Sequence, residues 1–107
     1  RPGFDYGIRD IMSFVPTATP RDAPVVDATA RAIARVLGRE PSYIASPGTY
    51  DQKHIDRIGR LHNCIAYGPG LLHLAHQPDE WISVQDMLDS AKVMALVLND
   101  LLGGSAA

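Results

Sequence analysis

The chain has 107 residues, 46% hydrophobic and 21% charged, the size and balance of one small globular unit. Its formal net charge of -2 supplies no field that would draw nucleic acid or an anionic membrane. No stretch approaches the roughly 18 consecutive apolar residues of a bilayer span, and no basic-then-apolar leader opens the chain, so a cytoplasmic protein is expected.

The single cysteine, Cys64, excludes an internal disulfide. Within the apolar run Cys64-Ile65-Ala66-Tyr67 it is read as a buried, inert thiol. The chain opens on Arg1-Pro2-Gly3 without a methionine, and its first strong helix signal comes only after Pro20, which reads as the tail of something larger.

Phe4-Asp5-Tyr6-Gly7-Ile8-Arg9 alternates as a half-buried strand does, and Pro16 and Pro20 then bracket a loop. From Asp22 onward, Val26, Ala30, Ile33, Ala34 and Leu37 fall on one helical face, with Pro24 in the first turn and Gly38 as the stop. Residues 40–45 read as a short strand ended by the turn Ser46-Pro47-Gly48, where the chain is expected to change domain. A short helix over 51–58 and a buried strand over 63–67 follow, the latter closed by Gly68-Pro69-Gly70.

After a loop to Ile82, Ser83 predicts an N-cap with Asp86 three residues on, a capping-box variant worth about 0.5–2 kcal/mol. Val84, Met87, Leu88, Ala91, Met94, Ala95, Leu98, Leu101 and Leu102 then trace one apolar stripe up to Gly103-Gly104, with Met87 and Met94 as core filling. The order strand, helix, strand, turn, helix, strand, loop, helix predicts an α/β fold.

Four histidines are the first candidates for chemistry. His54 and His62, in short polar contexts, are read as surface or hydrogen-bonded residues. His73, inside Leu71-Leu72-His73-Leu74, is read as packed and stays outside any ligand set. Two histidines three apart beside Asp79 and Glu80 are by themselves a weak metal signature, because zinc takes about three or four ligands. On spacing alone the structural reading prevails.

A resemblance changes that balance. Gly68-Pro69-Gly70 with Ala75-His76-Gln77-Pro78-Asp79-Glu80 and Ser83-Val84-Gln85-Asp86 resembles the end of a family of metal-dependent amidohydrolases and metallopeptidases. This is the family of acetylornithine deacetylase and succinyl-diaminopimelate desuccinylase, in which Gly-Pro-Gly precedes Ala-His-Xaa-Pro-Asn-Glu. Upstream, Gly48-Thr49-Tyr50-Asp51 is similar to the family's Gly-Gly-Thr-Xaa-Asp turn and stands in the right order. The resemblance covers residues 48–102, while residues 1–46 match in pattern only.

The resemblance implies an α/β fold in two parts. Residues 1–46 would be the second half of a ferredoxin-like lid or dimerisation domain, and residues 47–107 the C-terminal part of a zinc-peptidase-like α/β catalytic domain. It also implies that His76 ligates one of two neighbouring divalent metal ions through a neutral imidazole nitrogen, zinc being expected and manganese or cobalt the alternatives. Glu80 matches the acidic residue that orients the loop or the ligand from behind. Gly48 and Thr49 match a substrate-facing turn, Gly70 the glycine that lets backbone approach the substrate, and Tyr50 offers a phenol beside them. Asp79 in place of asparagine, Pro47 in place of a turn glycine, and Tyr50 at a variable position depart from the family pattern and bear on the substrate more than on the reaction.

The implied reaction is hydrolysis of the amide C–N bond of an N-acyl amino acid or related small molecule by metal-activated water. No catalytic residue is expected in this chain. The general base, a glutamate, and the remaining ligands are expected from the N-terminal portion of the same enzyme, as a separate or missing chain. A homodimer through the lid is also implied. Two further readings stand beside it: an aminohydrolase of an aromatic amine, similar to nitroanthranilate aminohydrolase, and a non-catalytic α/β interaction module with structural histidines.

Overall fold

The computed structural model describes residues 3–103. Helix α1 spans Pro24–Leu37, α2 spans Gln52–Arg57, and α3 spans Val84–Leu102, with a 3₁₀ turn at Leu72–Leu74 between the last two.

Pro24 opens α1 because a first-turn residue has no intrahelical partner for its N–H, so proline loses nothing there. The N-cap, Ala23, has no side chain able to accept a hydrogen bond. A distant residue supplies the acceptor: the Val25 N–H donates to Asn63 Oδ1 at 2.9 Å. At the other end, Gly38 adopts the left-handed conformation at φ 65°, and its N–H donates to the Ala34 carbonyl.

The predicted cap of α3 is formed, with the Asp86 N–H donating to Ser83 Oγ at 2.9 Å. Farther along, Asp89 accepts from the Gln85 amide at 2.9 Å and from Lys92 at 3.2 Å. The Gln85 hydrogen bond lowers the pKa of its carboxyl most, desolvation opposes it, and Lys92 adds to the lowering.

The core is the packing of α1 on α3. Val93 is 0% exposed against Ala32 and Ile33, with Val36, Leu37, Leu96 and Val97 around them. Arg31 spans the pair, bonding Asp27 on its own helix and Asp100 on α3. The three groups are exposed, so this link sets orientation more than stability.

The face that α3 gives to α1 is not the stripe read from the sequence. At 3.6 residues per turn, Ser90, Val93 and Val97 lie on the side of α3 away from Ala91, Ala95 and Leu98. Met94 and Leu98 are 49% and 53% exposed, and Met87 is exposed too, so neither methionine fills the core of the described residues. The helix is apolar on two sides, and the smaller side is the one that finds α1.

No strand occurs among the described residues, which corrects the expectation for residues 4–9, 40–45 and 63–67. Alternation and β-branched content favour extended backbone, but a strand exists only through a ladder of hydrogen bonds to a neighbour. None of these segments makes one. The described fold is helical, and the sheets of the expected α/β class and ferredoxin-like lid are absent from it.

Side chains tether 63–67 instead: Thr19 Oγ1 and Gln52 Nε2 both donate to the Cys64 carbonyl, and Gln52 also reaches Thr19 at 3.1 Å. Cys64 itself is half-buried rather than enclosed. The α1–α3 core joins a helix from residues 1–46 to one from residues 47–107.

The radius of gyration is 18.7 Å, against about 13 Å for a compact chain of this length. Trp81, Ile44 and Leu72 are among many large apolar side chains left exposed. No helix among the described residues is long and apolar enough to cross a membrane. The tail from Gly104 on, expected to fray, lies outside the described residues.

Truncating Val93 to alanine removes two buried methyl groups and leaves a cavity, an expected loss of about 2 kcal/mol. Ser83→Ala is expected to cost about 1 kcal/mol. Leu98→Ala, at a half-exposed side chain beside Val25 and Tyr67, is expected to cost less than Val93→Ala. Urea unfolding of the three variants checks the assignment, and a Leu98 loss matching that of Val93 would mean that the packed face is the other one.

Candidate functional site

The loop that carries His76 is a chain of tight turns. Leu74 N–H donates to the Leu71 carbonyl at 2.9 Å, Ala75 to Leu72 at 3.1 Å, Gln77 to Leu74 at 3.1 Å and Glu80 to Gln77 at 3.3 Å. Two non-glycine residues in it take positive φ, His76 at 61° and Asp79 at 59°. Such backbone costs roughly 1–2 kcal/mol per residue for an L side chain, so something must hold it. Part of the answer at His76 is Glu80, whose Oε2 accepts the His76 N–H at 3.2 Å. That bond uses the backbone of His76 and leaves its imidazole exposed.

Asp79 departs from the family's asparagine, and its φ explains why the exchange is tolerated. Asparagine and aspartate are the two non-glycine residues that enter the left-handed region most readily, since their short polar side chains satisfy local backbone groups. The position selects a conformation that both residues can take.

The upstream block is held by a residue that the sequence reading passed over. Ser46 Oγ accepts the Gly48 N–H at 3.2 Å and lies 2.8 Å from the Tyr50 hydroxyl. The Gly48 N–H is thus engaged within the turn, and Thr49 beside it is exposed. Lys53 Nζ donates to the Tyr50 carbonyl at 3.3 Å and sits 4.7 Å from the centre of the Phe14 ring. A serine two residues before a turn glycine is the signal that would have found this arrangement, because its hydroxyl bonds backbone two residues on.

Gly70 has φ 90°. A Cβ there would meet only Ile82 side-chain atoms at 3.7 Å, an ordinary contact. The conformation, not crowding from within the chain, is what requires glycine.

Gly48, Thr49, Tyr50, Gly70 and Glu80 line one open cleft of about 1850 Å³, and His76 stands next to it through its hydrogen bond to Glu80. Pockets that grip a small ligand run about 300–1,000 Å³, so these walls alone do not enclose one. Among the described residues, no three His, Cys, Asp or Glu side chains converge to hold an ion. A single exposed imidazole fits a metal only as one contributor to a shared site.

The other histidines divide. His62 Nδ1 pairs with Asp56 Oδ1 at 2.6 Å, and His54 meets the Phe14 ring edge-on at 6.0 Å, both structural contacts. His73, read as packed, is instead exposed in the 3₁₀ turn, because Leu71 and Leu72 beside it are exposed as well.

The model of Peptidase family M20/M25/M40 matches residues 5–100, a span that includes both glycine turns and the His76 loop. The chain belongs to this family. A LysW-lysine/LysW-ornithine hydrolase of Pyrococcus abyssi is 38% identical over 96 residues, covering 88% of this chain and 28% of the relative. A succinyl-diaminopimelate desuccinylase of Nitrosomonas europaea is 32% identical over 102 residues, covering 95% and 26%. An acetylornithine deacetylase of Myxococcus xanthus is 29% identical over 103 residues, covering 96% and 25%. The chain thus spans about a quarter of the length of the curated relatives it matches. No solved structure gives a significant match.

If φ is what selects residue 79, Asp79→Asn is expected to leave stability within about 0.5 kcal/mol of the parent. Asp79→Val, β-branched at positive φ, is expected to lose more than about 1 kcal/mol. Equal unfolding midpoints for the two variants would remove the conformational account.

Proposed function

We propose that this chain forms part of a metal-dependent hydrolase that cleaves the amide C–N bond of an N-acyl amino acid or a related small molecule. The observation that carries the reading is the His76 loop: an exposed imidazole, its backbone tied to Glu80, beside a cleft lined by the Gly48–Thr49–Tyr50 turn. The names of the relatives, a deacetylase, a desuccinylase and a LysW-amino-acid hydrolase, support the same bond type.

In this reading His76 would hold a divalent ion together with ligands from elsewhere in the protein, zinc in the first instance and manganese or cobalt as alternatives that accept the same donors. Such an ion, when bound, supplies Lewis acidity toward an amide carbonyl and toward water. The residues of this chain bind and orient. Glu80 fixes the His76 backbone by accepting its N–H, and so holds the loop from which the imidazole projects. Thr49, exposed in the turn that Ser46 closes, would hydrogen-bond the acyl oxygen or a carboxylate of the substrate. Gly70 keeps its edge of the cleft free of a side chain, and the Tyr50 ring limits water access from the upstream turn. The general base is a glutamate outside this chain.

The partners proposed are the remaining portion of the same enzyme, a small-molecule substrate, and a second copy of the enzyme through residues 1–46. The extended shape and uncovered apolar surface support the first of these.

His76→Ala in the whole protein is expected to lower bound metal and to reduce kcat/KM by more than the roughly 10–100-fold typical of outer partners. Glu80→Ala is expected to fall within that range, and Glu80→Gln, which keeps an acceptor for the His76 N–H, to lose less. Elemental analysis and turnover of N-acyl amino acids read all three. Unchanged metal content and turnover in His76→Ala would instead favour a non-catalytic module.

A further inference from the structure

The geometry points to Ser46 as a positioning residue, the latch that shapes the Gly48–Thr49–Tyr50 turn for substrate; this rests on the hydrolase reading above. A serine hydroxyl has one proton to donate and two lone pairs to accept with. Ser46 uses these on two partners of the same turn, accepting the Gly48 N–H at 3.2 Å and sharing a hydrogen with the Tyr50 hydroxyl at 2.8 Å. The two bonds pull in complementary ways. The first closes the backbone after Pro47 and removes Gly48 from the donors that a ligand could use. The second folds the phenol back over the turn, so that the Gly48 α-carbon faces Ser46 Oγ and the Tyr50 hydroxyl, each 3.6 Å from where a Cβ would stand.

All four residues, Ser46, Gly48, Thr49 and Tyr50, line the cleft. Thr49 is held between the two anchored positions, and Lys53 fixes the Tyr50 carbonyl from behind. The Ser46 hydroxyl therefore sets where the Thr49 donors point and where the Tyr50 ring stands. It reaches the substrate through these neighbours and does not take part in bond cleavage.

The expected signature is in substrate binding. In the whole protein, Ser46→Ala is expected to raise KM for an N-acyl amino acid about 3- to 10-fold, the effect of a lost hydrogen bond, with kcat within about twofold and bound metal unchanged. Ser46→Thr keeps the hydroxyl and is expected to restore KM. Tyr50→Phe is expected to raise KM likewise, and Ser46→Ala with Tyr50→Phe to be less than the product of the two single effects, because both remove one shared contact. Faster amide exchange at Gly48 in Ser46→Ala, but not in Ser46→Thr, would support the latch without reference to turnover. A wild-type KM in Ser46→Ala, or fully multiplicative effects in the double variant, would overturn the proposal. Absence of turnover in the unaltered protein with metal added would instead overturn the hydrolase reading, while Gly48 exchange still decides whether the latch exists.

Discussion

The burial of Val93 against Ala32 and Ile33 is the contact on which the described structure depends. Among the described residues it is the one place where two helices meet, and polar links tie the central segment to this pair. Asn63 joins the central segment to the start of α1, and Gln52 and Thr19 hold that segment through the Cys64 carbonyl. A core of this size offsets little conformational entropy on its own. Many large apolar side chains stay exposed around it, and the chain spans about a quarter of its relatives' length.

The candidate site follows a different physical logic. Its backbone is specified by local turn chemistry rather than by burial: left-handed φ at Gly70, His76 and Asp79, and successive backbone hydrogen bonds from Leu71 to Glu80 in the His76 loop. Turns of this kind hold their shape with few tertiary contacts. They are suited to presenting side chains at an edge of the structure.

What the sequence made legible tracks this distinction. Pro24, Gly38 and Ser83 marked helix ends because caps and stops act within a few residues, and the structure forms each of them. The family blocks around Gly48 and His76 were legible for the same reason, since a turn writes its requirements into consecutive residues. The strands were not, because a ladder needs a second edge that alternation in one segment cannot supply. The α3 stripe misled in an instructive way: amphipathicity identifies a face that favours burial, but the core with α1 is made by Val93, with Leu96 and Val97 packed against it, on another side. Ser46 was missed although its spacing to Gly48 was in plain view, because the Ser-Pro-Gly run was read only as a turn and not for what its hydroxyl holds.

The borrowed acceptor at the head of α1 couples two places that are 38 residues apart in sequence. Because Ala23 has no hydroxyl or amide to offer, the first turn of α1 cannot fray without letting go of Asn63, and a displacement of the Asn63 segment uncaps the helix in return. The segment around Asn63 is thereby tied both to the head of α1 through its own side-chain amide and to Thr19 and Gln52 through the Cys64 carbonyl, so the cap of one helix and the placement of a distant loop share one set of hydrogen bonds.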